Sequence, residues 1–155
     1  ARAEYEMQIA KLKLQHVVSL NGDTNDPYSR MRECDIVVQP SRFESFGYTA
    51  VEAMALGVPL VASAVGGLKE IVTHESTGLL VHELTPKNFA DAIERLIREP
   101  ALRTRLSLDA RWSVETKYDA SRMRESVVSV YRRICSSPFA LTATTESAAS
   151  ANMKK

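Results

Sequence analysis

Cysteine is scarce in this 155-residue sequence, which contains only Cys34 and Cys135. Two cysteines cannot form the network of disulfides that stabilises small secreted domains, and neither of them belongs to a C-x-x-C pair. We therefore expect a reduced, cytoplasmic protein. Histidine is also rare, and none has metal-ligand spacing to another histidine or to a cysteine, so we expect no metal site (His16, His74 and His82).

An excess of charge of one sign is missing as well. The 20 Lys and Arg residues are balanced by 19 Asp and Glu residues, which leaves a net charge of +1 and argues against a nucleic-acid partner. The longest apolar run is far shorter than the ~20 residues of a membrane span, and no signal-peptide pattern opens the sequence. A hydrophobic fraction of 45% and a charged fraction of 25% are typical of a soluble globular domain.

Four short apolar runs, rich in β-branched residues, divide the chain. They are HVVSLNG at 16–22, DIVVQPS at 35–41, PLVASAVGG at 59–67 and GLLV at 78–81. Each has the length of a strand, and helical patterns separate them. The alternation predicts an α/β fold with a Rossmann-like parallel sheet and helices on both faces. Such sheets bind ligands at the carboxyl ends of their strands, so we expect a site in the loops after Val38 and Ala62.

Helical spacing of apolar residues predicts helices between and after these runs. We expect them near residues 5–12, 26–33, 48–56, 86–99, 102–110 and 123–134. The first lacks an N-cap, so we expect a domain of residues 1–135 that is truncated at its N-terminus. Residues 136–155 are mostly Ser, Thr and Ala, cannot offset their ordering entropy by burial, and are expected to form a disordered tail.

The segment PSRFESFG at 40–47 joins the second run to the helix expected at 48–56. Gly47 lets the backbone turn tightly and lets a ligand approach the main chain. The amides of Gly47, Tyr48 and Thr49 are then the unpaired donors of a helix N-terminus, which attracts anions. This loop therefore predicts an anion site that suits phosphate best.

Two glutamates flank the expected anion site. Glu52 lies roughly 7–8 Å further along the helix at 1.5 Å per residue, about the distance from a diphosphate to a ribose, and its carboxylate can accept both ribose hydroxyls. Glu44 lies in the loop on the other side, where the group attached to the outer phosphate would lie. The chemistry of a glycosidase acid pair would give no reason for a phosphate site between the two carboxyls.

The segment PSRFESFGYTAVEAMALGVPLVAS at 40–63, followed by GGLKEIV at 66–72 and GLLV at 78–81, resembles the signature of a known enzyme family. The family is that of the retaining, nucleotide-sugar-dependent glycosyltransferases of the GT-B fold, especially family 4, also called glycosyl transferases group 1. Its mark is a Glu, seven residues and a second Glu, which correspond here to Glu44 and Glu52. The resemblance covers roughly residues 15–135 in the family's order and spacing.

The resemblance implies a role for each matching residue. The residue that matches Glu52 binds the ribose, and the catalytic residue that matches Glu44 contacts sugar hydroxyls near the reacting carbon. The backbone amides that hold the diphosphate or sugar match Phe46, Gly47, Tyr48 and Thr49. Further donor-binding candidates are Ser41, Gly66 and Gly67. No cofactor or metal is normally needed, because the nucleoside-diphosphate sugar is itself the substrate.

For the whole protein, the resemblance implies the C-terminal, donor-binding half of an enzyme that transfers a hexose to an acceptor. The family's basic pair, an Arg and a Lys that neutralise the diphosphate, and its acceptor-binding N-terminal domain would both lie upstream of residue 1. Without those charges we expect the chain alone to bind weakly and to turn over little. The alternative is a non-catalytic nucleotide-sugar-binding module that needs a partner chain.

Three features have two interpretations at this point. Gly66 and Gly67 fit either a close approach of the donor sugar or a strand-to-helix turn. The Tyr48 ring either touches the sugar or packs. The last helix fits either a solvated face or peripheral association with an anionic membrane, at whose inner face the protein would then lie (Arg122, Arg124, Arg132 and Arg133).

Overall fold

Three short strands form a parallel sheet in the computed structural model, which describes residues 2–135. They are β1 (Val37–Gln39), β2 (Leu60–Ser63) and β3 (Leu79–Val81), in the order β1-β2-β3. Val38 of β1 pairs with Val61 of β2, which in turn pairs with Leu79 of β3. The predicted parallel sheet is therefore confirmed, and the carboxyl ends of β1 and β2 are neighbours.

Helices account for most of the remaining residues between 2 and 135. They are α1 (Arg2–Lys11), α2 (Pro27–Arg32), α3 (Tyr48–Ala55), α4 (Leu68–Ile71), α5 (Pro86–Arg98), α6 (Pro100–Lys117) and α7 (Ala120–Cys135). The predicted helices are confirmed, with α6 and α7 longer than expected, whereas α4, a single turn, is not among them. Local caps explain two of the starts, because the side chains of Asp26 and Thr85 accept hydrogen bonds from the third amide beyond each.

The sheet carries helices on both faces, as predicted. Successive residues of β2 point to opposite faces, so Leu60 and Ala62 pack with α3, α4 and the C-terminal half of α6, whereas Val61 packs with α5 and the N-terminal half of α6. On α3, Ala50 and Met54 are completely buried in the first of these clusters. This burial fixes α3 against the sheet, so the start of α3 is held at the carboxyl ends of β1 and β2.

Residues 16–22, which the sequence predicts as a strand, form turns and irregular backbone, so this prediction is wrong. The amides of Val17 and Val18 donate hydrogen bonds to the Leu14 carbonyl, at 3.0 and 2.9 Å, and close turns instead of a ladder. Val17 is 66% exposed. Since no strand among residues 2–135 pairs with this segment, its β-branched residues lack the packing that makes them favour a strand.

The last helix, α7, is exposed along its whole length. Its apolar side chains lie open to solvent on the same helix as its arginines (Met123, Val127, Val130, Tyr131 and Ile134). None of the helices between residues 2 and 135 combines the length and the apolar character that crossing a bilayer requires. The tail predicted at 136–155 lies outside the described residues.

Candidate functional site

The turn into α3 leaves a group of main-chain amides without an acceptor. Gly47 has φ +109° and ψ +50°, a left-handed conformation that favours glycine, and no side chain caps the helix. The Gly47 carbonyl accepts hydrogen bonds from the amides of Ala50 and Val51, at 3.0 and 3.1 Å. Among residues 2–135, no acceptor bonds the amides at the start of the helix (Phe46, Gly47, Tyr48 and Thr49). Four neighbouring amides are therefore free to bind an anion.

Gly66 and Gly67, which follow β2, lie directly against the loop that carries Glu44. The Gly67 amide donates a hydrogen bond of 3.1 Å to the Glu44 carbonyl. A Cβ at Gly66 would lie 1.8 Å from that same carbonyl oxygen, and a Cβ at Gly67 would lie 2.4 Å from the Phe46 carbonyl oxygen. The glycine pair forms the turn between β2 and α4, as one of its two sequence interpretations has it. It also allows two backbones to touch.

The Glu44 carboxylate accepts a hydrogen bond from a residue of the sheet. Gln39, the last residue of β1, donates a hydrogen bond from its Nε2 to Glu44 Oε2 at 2.9 Å. Gln39 is only 8% exposed, and its main-chain carbonyl accepts a hydrogen bond from the Ser63 hydroxyl at 3.4 Å. Sequence reasoning missed Gln39. The available signal was a polar residue at the end of an apolar run, immediately before the Pro40-Ser41 turn.

The Glu52 carboxylate has a partner from another helix. Tyr28, near the start of α2, donates a hydrogen bond from its hydroxyl to Glu52 Oε1 at 3.1 Å. The hydrogen bond to Glu52, and then the carboxylate's charge, raise the pKa of the Tyr28 hydroxyl. Tyr28 was missed as well, because 24 residues separate it from Glu52 and no local pattern links the two.

Two aromatic rings lie at the turn into α3. The rings of Phe46 and Tyr48 lie 4.8 Å apart at 58°, and Phe46 also meets Tyr118, just beyond α6, edge to face at 6.0 Å. Tyr48 is nevertheless 73% exposed. Its ring therefore packs on one side and remains open to a ligand on the other.

Ser41 and Arg42 begin the same loop. Ser41 is half-buried and Arg42 is exposed. Among residues 2–135, neither side chain makes a hydrogen bond to Glu44 or Glu52. The structure thus brings together the start of α3, the Glu44 loop and the glycine pair.

A hollow of about 460 Å³ lies elsewhere, between β3 and α5. It is lined by His74, by residues 79–83 and by α5, and no residue of the 40–47 loop or of α3 contributes to it. Among residues 2–135, no three His, Cys, Asp or Glu side chains cluster in a way that could hold a metal ion. The candidate site lies at the start of α3, because that segment carries the unpaired amides and has Glu44 in the loop before it and Glu52 on the helix itself.

Comparison with known proteins points to one enzyme family. The model of the family described as glycosyl transferases group 1 matches residues 1–112. An uncharacterized glycosyltransferase of Methanocaldococcus jannaschii is 37% identical over 113 residues, which are 73% of this chain and 28% of that protein. The alpha-D-kanosaminyltransferase of Streptomyces kanamyceticus is 32% identical over 136 residues, covering 86% of this chain and 35% of that protein.

Solved structures give the same result. HepE of Anabaena, crystallised in complex with UDP, superimposes with a TM-score of 0.82 and 27% identity over 84% of this chain and 36% of that one. The same protein has been crystallised with UDP-glucose. The chain spans about a third of the length of these relatives. Its parallel, helix-covered sheet is that of the GT-B glycosyltransferases, and the chain belongs to the glycosyl transferases group 1 family.

Proposed function

We propose that this domain binds the donor of a retaining glycosyltransferase, which transfers a hexose from a nucleoside-diphosphate sugar to an acceptor. The observation that carries the proposal is the group of four amides without an acceptor at the start of α3, which lies between Glu44 and Glu52 in the sequence. A diphosphate is the ligand that such a helix N-terminus suits best. HepE, which this chain resembles in structure, was crystallised with UDP and with UDP-glucose.

Glu52 binds the nucleoside end of the donor. Because the Tyr28 hydroxyl occupies only one position on Oε1, Oε2 and the remaining lone pair of Oε1 can accept hydrogen bonds from the two ribose hydroxyls. An anion on the amides of Tyr48 and Thr49 lies about one helical turn from Glu52, so one donor molecule can reach both.

Glu44 binds the sugar end, near the carbon at which transfer occurs. Transfer keeps the anomeric configuration and passes through an oxocarbenium-like transition state, in which negative charge grows on the leaving diphosphate. The amides at the start of α3 are fixed in place before the reaction and stabilise that charge electrostatically. We propose no metal or cofactor, since the family that the sequence resembles normally needs none.

The acceptor is bound by a further domain of the enzyme. The chain covers about a third of the length of its relatives. Residues 2–135 contain a single sheet, and the proposed donor site lies at its carboxyl edge. A basic pair from outside this chain completes the neutralisation of the diphosphate. Binding by this chain alone is therefore weak, because electrostatic stabilisation of this kind is commonly worth several kcal/mol.

Titration of UDP-glucose, GDP-glucose and ADP-glucose against the domain tests the proposal. We expect one nucleoside class to bind, and Glu52→Ala to weaken its binding by about 1–3 kcal/mol, the usual cost of losing a charged hydrogen-bond partner. Glu115→Ala is the matched control, since Glu115 is an exposed carboxylate on α6 that pairs with Arg111. Failure of all three donors to bind would contradict the proposal, and equal binding by Glu52→Ala would contradict the ribose assignment alone.

A further inference from the structure

Gln39 occupies a position that folding alone does not explain. It is the last residue of β1, it is 8% exposed, and it follows two valines in the strand. Its Oε1 atom is buried and has no hydrogen-bond partner among residues 2–135. A buried carbonyl oxygen without a donor costs folding free energy. A leucine of similar size would fill the same space without that cost, so stability would favour an apolar residue here.

The nitrogen of the Gln39 side-chain amide makes a contact that explains why a glutamine stands at this position. Gln39 Nε2 donates to Glu44 Oε2 at 2.9 Å. The amide must present its nitrogen to the carboxylate, because its oxygen would repel the negative charge. Oε1 is consequently turned away from Glu44 and left without a partner.

Glu44 depends on this contact for the orientation of its side chain. The main chain at Glu44 is fixed by the Gly67 amide, but that bond does not restrict the side-chain torsions. Among residues 2–135, Gln39 is the one hydrogen-bond partner of the Glu44 carboxylate. A lysine or an arginine would cancel the negative charge of the carboxylate. A neutral amide instead fixes one carboxylate oxygen, keeps the charge, and leaves the other oxygen free to accept a hydrogen bond from a ligand.

We propose that Gln39 is a positioning residue, which holds the Glu44 carboxylate in the orientation that the hydroxyls of the donor sugar require. The inference rests on the proposed function, since it assumes that Glu44 binds the sugar part of a nucleoside-diphosphate sugar. Gln39 touches neither the nucleotide nor the reacting carbon and acts through Glu44. It therefore contributes to recognition of the sugar and leaves recognition of the nucleotide unchanged.

The test first finds which of UDP-glucose, GDP-glucose and ADP-glucose the chain binds. It then measures two affinities for each variant: the affinity for that nucleotide sugar and the affinity for the same nucleoside diphosphate without the sugar. In Gln39→Leu we expect the affinity for the nucleotide sugar to fall about five- to tenfold and the affinity for the nucleoside diphosphate to stay the same. The thermal unfolding midpoint should stay the same or rise, because the unpartnered Oε1 is removed. Gln39→Asn keeps an amide but is one methylene shorter, and it should show the same selective loss.

Thr77→Val is the matched control for loss of a buried polar group. Thr77 is buried, and its hydroxyl accepts a hydrogen bond from the Thr73 amide at 2.9 Å. We expect this variant to have a lower unfolding midpoint and an unchanged ratio of the two affinities. In a Glu44→Ala background, Gln39→Leu should cause no further loss, because the residue acts through the carboxylate that has been removed.

The outcomes separate this inference from the proposed function. A Gln39→Leu variant that keeps the wild-type ratio of affinities, loses both affinities equally, or unfolds as early as Thr77→Val overturns the inference. A wild-type chain that binds the nucleotide sugar no more tightly than the nucleoside diphosphate also overturns it, while the nucleotide site remains. If the wild-type chain binds none of the three nucleotides, the proposed function fails and the inference fails with it.

Discussion

The Tyr28 hydroxyl donates a hydrogen bond of 3.1 Å to Glu52 Oε1 and so links α2 to α3 across 24 residues of sequence. Glu52, which accepts this hydrogen bond, carries the carboxylate that we propose to bind the ribose. Since one of its oxygens is already held by Tyr28, the carboxylate keeps one orientation before any ligand arrives. Under the proposed function, we expect the contact to favour binding, because Glu52 then loses less freedom when it binds the ribose.

Tyr28→Phe should lower the affinity for the nucleoside diphosphate, because the Glu52 carboxylate loses the hydroxyl that holds it. Isothermal titration of the variant and the wild type measures the change. Tyr131→Phe, at an exposed position on α7, is the control and should bind like the wild type. An unchanged affinity in Tyr28→Phe would show that Glu52 needs no support from α2.

The titration of Tyr28 gives a second test of the same contact. Glu52 raises the pKa of the Tyr28 hydroxyl through the hydrogen bond and through its charge, so we expect Tyr28 to ionise above the usual value of about 10. Because the pKa is higher in the folded state, the stability from this contact is present below the unfolded value and is lost as pH rises through the folded value. Ultraviolet difference spectra of wild type against Tyr28→Phe measure the midpoint. Glu52→Gln should lower it, and an identical midpoint in that variant would disprove the coupling.

Gly67→Ala should displace the loop that carries Glu44. The new Cβ would lie 2.4 Å from the Phe46 carbonyl oxygen and 2.6 Å from that of Ser45, and overpacking of this kind costs about 1–3 kcal/mol. Urea unfolding and donor titration should therefore show losses in both stability and donor affinity. Gly57→Ala is the comparison, because a Cβ there meets nothing within 4 Å although φ is +70°. We expect Gly57→Ala to lose some stability and to keep donor affinity.

The turn before β3 should show an opposite pH dependence. Arg95 of α5 donates a hydrogen bond to the Glu75 carboxylate and, chiefly through that bond, lowers the pKa of Glu75. Because the pKa is lower in the folded state, this contact stabilises the fold above the unfolded pKa and is lost as pH falls through the folded pKa. Arg95→Gln should raise the pKa of Glu75 in an NMR titration. Arg111→Gln, which removes a different exposed pair, should leave that pKa unchanged.

Much of the fold could be predicted from the sequence because its signals are local. The Thr85-Pro86 cap, the Gly57 stop after α3 and the three apolar runs at β1, β2 and β3 all act within a few residues. The strand predicted at 16–22 failed because a strand also needs a neighbour to pair with, and sequence spacing does not supply one. The single turn of α4 has too few residues for a periodic pattern.

The candidate site divides in the same way. Glu44, Gly47 and Glu52 belong to one continuous segment, so their relative placement follows from a loop and a helix. Gln39 and Tyr28, which hold the two carboxylates, could not be predicted from that segment, because their contacts form when separate elements pack together. The sequence therefore identifies the groups proposed to contact the donor but misses the groups that orient them.

No atom larger than hydrogen fits between Gly66 and the Glu44 carbonyl oxygen, since a Cβ would come within 1.8 Å. The loops after β1 and β2 are consequently in direct backbone contact, and α4 begins at the residue after Gly67. Lys69 and Glu70 lie on the exposed side of α4, so we expect substitutions there that displace the helix to displace the Glu44 loop as well. Under the proposed function, such substitutions should alter the affinity for the sugar part of the donor without changing Glu44 itself.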